Sequence, residues 1–295
     1  MFGSRQFSPL ITTRNLNFVL ALATAIGCSS IPVRYPDRII DAHLHTDFNG
    51  EPEETSKITF SRDQLLKEFK EAGIVGAVSH TTIDGKGYDP EHASMGIIHC
   101  GGVRAKVDVS RLESGLKSGQ YKCVKIYLGY EYQYASDKGY EPVYRLARKY
   151  KVPVVFHTGD TYDPKGKLKY AEPLAIDEVA VDHPEVTFVI AHCGNPWIET
   201  AAEVAYKNKN VYLECSAMLI GDLPEQGEES LNESMIKPIR WVFNYVEDPK
   251  KLMFGTDWPL VSIKQYVDVY KRAIPEEHWA AVFHDNAKRV FGITP

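Results

Sequence analysis

An apolar run ends in two histidines that are spaced to bind one metal ion. The run Ile39–His45 begins with two β-prone isoleucines and contains His43 and His45. Residues two apart on a strand face the same side, so both imidazoles would project together from one strand end. That arrangement suits a shared divalent ion. The His-x-His pattern alone is equally compatible with two unrelated histidines, one buried and one exposed.

Further candidate site residues lie in or just after other apolar runs. His157, His192 and Asp257 each follow such a run, and Lys125 lies within another. A buried ionisable side chain is costly unless it is paired or bound to a metal. Four histidines and an aspartate at the ends of predicted strands therefore favour a metal site over isolated core histidines.

The elements that must position these residues repeat along the chain. Short apolar runs alternate with amphipathic stretches, which is the pattern of a (β/α)8 TIM barrel with its catalytic groups at the carboxyl ends of the strands. We expect one such α/β domain over residues 38–293. A doubly wound open sheet is disfavoured because no Gly-rich phosphate loop follows the first run. The eight predicted strands are Ile39–His45, Ile74–His80, Ile97–Gly101, Cys123–Leu128, Val152–Thr158, Val186–His192, Val211–Ser216 and Leu252–Thr256.

Amphipathic segments between these strands predict helices. Residues 61–72 form the clearest one, with Ser61 as N-cap and Gly73 as the stop. Similar patterns predict helices over 142–151, 171–182, 196–207, 261–272 and 276–291.

Composition and charge limit the classes of molecule that the protein could bind. The chain has 295 residues, of which 44% are hydrophobic and 25% charged, as in soluble globular proteins. Its net charge is −5 and no basic block occurs, which disfavours nucleic acid as a partner. We expect a small-molecule substrate, and the sequence leaves homo-oligomer formation open.

Residues 1–30 differ from the rest and predict a leader. Arg5 and Arg14 precede an uncharged run, 18–27, that ends at Cys28 and is too short to cross a membrane. The segment before Cys28 resembles a bacterial lipoprotein signal, with Ala25 in place of the usual leucine. We therefore expect a lipid anchor at Cys28 and a periplasmic or membrane-attached protein in a bacterial cell envelope. The alternative is a disordered leader or a misassigned start codon. If the start is misassigned, we expect a cytoplasmic protein.

The other four cysteines are widely spaced. Cys100, Cys123, Cys193 and Cys215 lie in separate apolar stretches, without the close pairing of a zinc ribbon or a redox motif. We expect them to be small core residues and expect no structural disulfide.

The combined motifs resemble the metal-dependent amidohydrolase superfamily. The branch with the most similar motifs is the amidohydrolase-related one, which also contains aminocarboxymuconate-semialdehyde decarboxylase. The resemblance covers about residues 38–293 and implies a distorted barrel with a divalent ion at its mouth, held by His43, His45, His157 and Asp257. The matching segments are Asp41–His45, Phe156–Gly159, Ala191–Gly194, Gly255–Pro259, Asp285–Ala287 and Phe291–Gly292.

The number of metal ions stays open. In binuclear members a carboxylated lysine from strand 4 bridges two ions and the strand-6 histidine binds the second, so Lys125 and His192 are candidates for those roles. In the decarboxylase-like branch one ion suffices, His192 acts on substrate or water, and Lys125 could bind a substrate carboxylate or merely pack beneath the site. We favour one ion, zinc first, with manganese, iron and cobalt as alternatives.

The resemblance implies three functional hypotheses. The leading one is a hydrolase of a small organic substrate, in which Asp257 takes the proton of a metal-activated water and His192 polarises the scissile group. The second is a non-oxidative decarboxylase of an unsaturated or aromatic acid. The third is a metal-binding lipoprotein without turnover, which the proton acceptor Asp257 disfavours.

Two further features border the predicted site. Glu214 on the seventh strand either points into the barrel mouth or pairs within it. Tyrosines crowd the loop after the fourth strand and form either an aromatic wall for the substrate or an anchor for the loop. They are Tyr127, Tyr130, Tyr132 and Tyr134.

Overall fold

Eight parallel strands, hydrogen-bonded in chain order, form a nearly closed barrel in the computed structural model, which describes residues 38–80 and 87–294. Each strand is followed by helical structure, so the predicted (β/α)8 architecture is confirmed. All eight predicted strands are present, several of them shorter than the apolar run that predicted them. They are β1 (Ile39–Leu44), β2 (Ile74–His80), β3 (Ile97–Val103), β4 (Cys123–Ile126), β5 (Val154–Phe156), β6 (Phe188–Ile190), β7 (Val211–Glu214) and β8 (Leu252–Met253).

Backbone hydrogen bonds join β1 to the chain around β8 and complete the ring. The amide of Ala42 donates to the carbonyl of Phe254 at 2.9 Å. Beyond β8, the amide of Asp257 donates to His43 at 2.8 Å, and that of His45 donates to Trp258 at 3.0 Å. These bonds place Asp257 beside the two histidines of β1.

The helices lie outside the strands. The first, α1, has Ser61 accepting from the Gln64 amide at its start and Gly73 in the left-handed conformation at its end, as predicted. Eleven α-helical segments occur within the described residues. They are α1 (Arg62–Ala72), α2 (Val109–Ser118), α3 (Leu128–Glu131), α4 (Glu141–Tyr150), α5 (Leu168–Ala171), α6 (Ala175–Asp182), α7 (Ile198–Lys207), α8 (Glu228–Leu231), α9 (Lys237–Tyr245), α10 (Ile263–Lys271) and α11 (Asn286–Phe291).

Shorter helical turns connect these elements. Wide π-type turns precede two α-helices, Asn232–Ile236 before α9 and Ala281–Asp285 before α11. The remaining turns are short and mostly of the tighter 3-10 type, whereas the turn after β6 contains residues in the left-handed conformation. They are Pro90–Met95, Lys138–Tyr140, Ala191–Gly194, Leu223–Gln226 and Glu276–His278.

The sequence patterns did not predict two of the longer outer helices, α2 and α9, or the four-residue helices α3 and α8. Gly115 interrupts the helix-favouring pattern of α2, although Asp108 caps that helix by accepting from the Arg111 amide. The helix α9 follows the wide turn Asn232–Ile236 and has a proline in its first turn. Both helices complete the outer layer that the alternating strand pattern requires.

The core has two parts. Most buried apolar residues lie between the strands and the helices. A second cluster of side chains includes Ile40, Val78 and Val155 from three strands, and Phe291 and Ile293 pack against it from the end of the chain. The barrel interior is therefore filled, as is usual for this fold, and the polar groups collect at its mouth.

The expectation of no structural disulfide is wrong. Cys100 of β3 is bonded to Cys123 of β4, and Cys193, which follows β6, is bonded to Cys215, which follows β7. Cys100 and Cys123 are register partners on adjacent parallel strands. A strand–helix–strand unit brings residues that are 22 or 23 positions apart side by side, and their spacing in sequence does not reveal this.

The predicted leader, 1–30 with Cys28, lies outside the described residues and stays a prediction. Within the part of the chain that the structure describes, none of the helices combines the length and the apolar character that crossing a membrane requires.

A buried carboxylate on α1 fixes the loop after β8. Glu68 is 3% exposed and accepts from the indole nitrogen of Trp258 at 3.2 Å and from the Ile263 amide at 2.7 Å. The Gln64 side chain donates to it at 3.1 Å. Glu68 therefore satisfies two donors on the segment that follows Asp257.

We expect Glu68→Gln to lower the free energy of unfolding by about 1–3 kcal/mol, because the new amide group would face a buried donor. Denaturant unfolding measures this loss. Glu71→Gln, on the exposed face of the same helix, is the matched control. Equal stability of the two variants would contradict the role of Glu68.

Candidate metal centre

Three side chains, two at the end of the first strand of the barrel and one from the segment after its last strand, converge at the barrel mouth. The Oδ1 atom of Asp257 lies 3.1 Å from Nε2 of His45 and 3.4 Å from Nε2 of His43. His43 belongs to β1 and His45 follows its last residue, as the spacing predicted. Asp257 has a φ of 66°, a left-handed conformation that aspartate tolerates better than most residues.

A second carboxylate holds this arrangement together from beneath. Asp41 is fully buried and accepts from the Thr256 hydroxyl at 2.6 Å, from the Thr256 amide at 3.0 Å and from the His43 amide at 3.0 Å. Burial raises the pKa of Asp41 to about 7, while the bonds from Thr256 and His43 oppose the rise. Asp41 thus ties β1 to the loop that carries Asp257.

Glu214, at the end of β7, orients His43. Its Oε1 atom lies 2.6 Å from Nδ1 of His43, and we assign the proton of this pair to Nδ1, which leaves the Nε2 lone pair facing Asp257. Glu214 also accepts from the amides of Ser216 at 2.8 Å and His192 at 3.2 Å. Burial raises the pKa of Glu214 to about 8, against the opposing effects of Lys125 and Ser216. Glu214 therefore points into the barrel mouth and forms its hydrogen bonds with residues there.

His192 and His157 form a linked pair. Nε2 of His192 lies 3.1 Å from Nδ1 of His157, and Nδ1 of His192 lies 2.8 Å from the hydroxyl of Ser216. Nε2 of His157 lies 2.9 Å from the carbonyl oxygen of Asp160. One tautomer assignment satisfies the whole chain, with Ser216 donating to His192, His192 to His157, and His157 to Asp160.

Lys125 is completely buried on β4. Its ammonium nitrogen has no hydrogen-bond partner among the described residues and lies 5.3 Å from the centre of the Tyr127 ring. Burial lowers the pKa of Lys125 to about 8, while Glu214 and Asp257 oppose the shift. Such a lysine is available either to carboxylation or to an anionic group.

The protonation states suit a cation. Burial lowers the pKa of His43 and His157 well below the usual value, and lowers that of His192 to about 4, so these imidazoles are neutral at pH 7. Burial raises the pKa of Asp257, but His45, His192 and Lys125 lower it more, and it stays an anion. His45 differs, because burial lowers its pKa but Asp257, 3.1 Å away, raises it more, so a bound ion would have to displace a proton from this imidazole. Once that proton is lost, the site offers neutral nitrogens and an anionic oxygen, the donors that zinc and similar divalent ions prefer.

The distances between the donor atoms show whether a divalent ion would fit among them. His43, His45 and Asp257 offer atoms that all lie within 4.8 Å of one another, and so do His43, His192 and Glu214. Among the described residues, the buried Oδ1 atom of Asp257 makes no hydrogen bond of good geometry, and its polar neighbours are the imidazole nitrogens of His45 and His43 at 3.1 and 3.4 Å. A divalent ion would satisfy this oxygen, so the residues fit the group.

The predicted site residues thus occupy one region, with one difference in detail. His43, His45 and Asp257 share the first donor group, and Lys125 and His192 stand close enough to influence the charge on Asp257. His157 belongs to neither donor group and lies against His192 instead. Its role as a ligand stays a prediction.

Aromatic side chains form the wall of a cavity of about 560 Å3 above the cluster. Tyr127 and Tyr130 from the predicted loop line it, together with Phe60 and Tyr162, which the sequence patterns did not single out. These two come from loops after other strands, so only the fold brings them to the wall. Tyr132 and Tyr134 lie elsewhere and contact Tyr170.

A second cavity of about 430 Å3 adjoins the first. His157, His192 and Asp257 line both cavities, so the polar cluster lies between them. The second cavity has an apolar stretch, 218–220, and polar side chains from Asn195 and Gln226.

Fold and site define a TIM-barrel protein with a metal-type donor set at the carboxyl ends of its strands. A family model described as amidohydrolase matches residues 40–293, and the chain belongs to this family. The resemblance noted in the sequence is thereby confirmed. No curated protein sequence matches the chain significantly.

Solved structures share the fold at low sequence identity. An uncharacterised TIM-barrel protein from Bordetella bronchiseptica has a TM-score of 0.67 at 19% identity, covering 86% of this chain and 98% of its own. A probable 2-pyrone-4,6-dicarboxylic acid hydrolase from Acinetobacter baumannii has a TM-score of 0.60 at 15% identity, with 86% and 99% covered. A 5-carboxyvanillate decarboxylase from Novosphingobium aromaticivorans, solved with manganese, has a TM-score of 0.62 at 11% identity, with 86% and 96% covered.

We expect Glu214→Gln to weaken the binding of zinc by about 10- to 100-fold, because a carboxamide no longer fixes the proton of His43 on Nδ1. Titration of the metal-free protein against a competing chelator measures the affinity. Glu185→Gln, at an exposed position, is the control. Unchanged affinity in Glu214→Gln would show that Glu214 does not orient a ligand.

Proposed function

We propose that this protein is a metal-dependent hydrolase that cleaves a bond between two groups of a small organic molecule. The proposal is carried by one observation: Asp257 and His192 line two adjoining cavities at once. A scissile bond placed at these residues would have room for a substrate group on either side. Hydrolysis of an ester, lactone or amide needs that room.

The chemistry of each side chain indicates its role in the proposed reaction. His43, His45 and Asp257 would hold one divalent ion, zinc first and manganese, iron or cobalt as alternatives, with His157 as a further predicted ligand. Such an ion acts as a Lewis acid and makes water acidic. Asp257, which stays anionic in its surroundings, accepts the proton of the attacking water. His192, which Ser216 orients through Nδ1, polarises the scissile group when a substrate oxygen replaces His157 as the acceptor of its Nε2 proton.

Non-oxidative decarboxylation is the second candidate. The aromatic wall of the larger cavity suits a planar acid, and a structural neighbour is a 5-carboxyvanillate decarboxylase. Carbon dioxide is a small product, however, and its loss makes no use of the second cavity. Metal binding without turnover, the third hypothesis, gives no role to the cavities.

A product assay separates these candidates. The purified protein, loaded with zinc or manganese, is given a panel of aromatic acids and their esters, lactones and amides. Hydrolysis of an ester or amide yields an acid and an alcohol or amine, and hydrolysis of a lactone yields one hydroxy acid, in each case without CO2. Decarboxylation instead releases CO2 from the free acids. CO2 release without any hydrolysis would overturn the proposal in favour of the second candidate, and no turnover of either kind would favour the third.

We expect Asp257→Asn to lower kcat by about a thousandfold, because the amide cannot accept the proton from water. The variant should keep its fold, as circular dichroism would show, and kcat is measured at saturating metal with bound metal quantified in parallel. Asp182→Asn, at an exposed position, is the control. Full activity with metal bound would contradict the role of Asp257.

The larger cavity also has a cation at its wall. Arg104 follows β3, and its side chain is 63% exposed and lies 3.6 Å from Glu131. Among the described lining residues it is the one permanent cation. Together with the aromatic rings, this favours a planar group that carries a carboxylate.

We expect Arg104→Gln to raise KM about tenfold for a substrate with a carboxylate on its aromatic group, because a charged hydrogen bond is lost. An uncharged amide analogue of the same substrate, assayed with the same variant, is the control and should keep its KM. An equal change for both substrates would show that Arg104 does not bind the carboxylate.

Location and assembly stay proposals that depend on other features. The leader pattern ending at Cys28 is the reason to place the enzyme in a bacterial cell envelope. A homo-oligomer remains compatible with the site, which draws all its named residues from one chain.

A further inference from the structure

The turn after β6 has an unusual backbone. His192, Cys193 and Gly194 are consecutive residues with φ values of 58°, 47° and 66°, all in the left-handed region. Residues with side chains rarely adopt this conformation, and two in succession need support from their surroundings. The turn matters because it carries His192.

The support comes from the end of β7. Cys193 is bonded to Cys215, and the Cα atoms of the two residues are 4.6 Å apart. Hydrogen bonds add to this link, since the His192 amide donates to Glu214 at 3.2 Å and the Ser216 hydroxyl lies 2.8 Å from His192. The covalent bond thus joins the residue after His192 to the residue between Glu214 and Ser216.

The disulfide lies next to two residues of the site, His192 and Glu214, and so affects the orientation of both. Glu214 directs the proton on His43, and His192 faces Asp257 with an Nδ1 to Oδ2 distance of 3.9 Å. If the turn relaxed to an ordinary conformation, His192 would leave Ser216 and the bond from its amide to Glu214 would break.

We propose that the Cys193–Cys215 disulfide is a positioning element of the metal centre. It keeps His192 and Glu214 in the orientations that favour a divalent ion among His43, His45 and Asp257. The proposal rests on the metal centre in the proposed function and does not depend on which bond the enzyme cleaves.

The second disulfide is a matched control. Cys100–Cys123 also joins neighbouring strands, all four cysteines are fully buried, and the linked residues are 23 positions apart compared with 22 for Cys193–Cys215. The two bonds therefore restrict the unfolded chain almost equally, and their removal should lower overall stability by similar amounts. Cys100 and Cys123 lie within their strands, away from the turn that carries His192.

The experiment compares two double variants of the full chain, Cys193→Ala/Cys215→Ala and Cys100→Ala/Cys123→Ala. Mass spectrometry after alkylation verifies both disulfides in the unmodified protein. Zinc affinity is then measured by chelator competition and stability by thermal unfolding of the metal-free proteins. We expect the first variant to bind zinc at least about tenfold more weakly, the second to keep its affinity, and both to unfold at similarly lower temperatures.

Equal zinc affinity in the two variants would overturn the proposal, as would free thiols at Cys193 and Cys215 in the unmodified protein. If the first variant does not fold, Cys193→Ser/Cys215→Ser replaces it, because two hydroxyls can hydrogen-bond in the same space without a covalent link. A failure of the proposed function would look different: the unmodified protein itself would not bind zinc, or would bind it without turnover.

Discussion

The packing of several imidazoles around the buried carboxylate of Asp257 is the constraint on which the site depends. Burial keeps His43, His157 and His192 neutral, whereas Asp257 raises the pKa of His45 against the effect of burial. His45, His192 and Lys125 in turn keep Asp257 anionic. The Oδ1 atom of this buried carboxylate faces the imidazole nitrogens of His45 and His43 at 3.1 and 3.4 Å, and a cation among these groups would stabilise the buried anion. The neighbouring Asp41, Glu68 and Glu214 are fully hydrogen-bonded, so they fix the geometry and leave Asp257 as the group that needs a cation.

Barrel topology explains why such a cluster forms. Parallel strands all end at one face, so residues distant in sequence meet there, and backbone bonds from His43 and His45 to the segment after β8 bring Asp257 to β1. A deep polar centre between two cavities follows from the same geometry, because every strand contributes a loop above its end. This is the physical basis for proposing a substrate with a group on either side of its scissile bond.

The strands and most of the site could be predicted because buried parallel strands are continuous apolar runs, and a polar residue at the end of one is conspicuous. His43, His45 and Asp257 were found in this way. The contacts that depend on which strands are neighbours could not be predicted in this way. They are the two disulfides, the hydrogen bond between His43 and Glu214, and the contact of His157 with His192. Phe60 and Tyr162 reach the cavity from separate loops, and α2 was missed because Gly115 weakens its helical pattern.

Anomalous X-ray diffraction from crystals grown with zinc tests the central claim most directly. The account predicts one strong peak at about 2.0–2.2 Å from Nε2 of His43, Nε2 of His45 and a carboxylate oxygen of Asp257. A peak elsewhere, or no peak at these three residues when zinc is in excess, would contradict the metal centre and the hydrolytic function proposed for it.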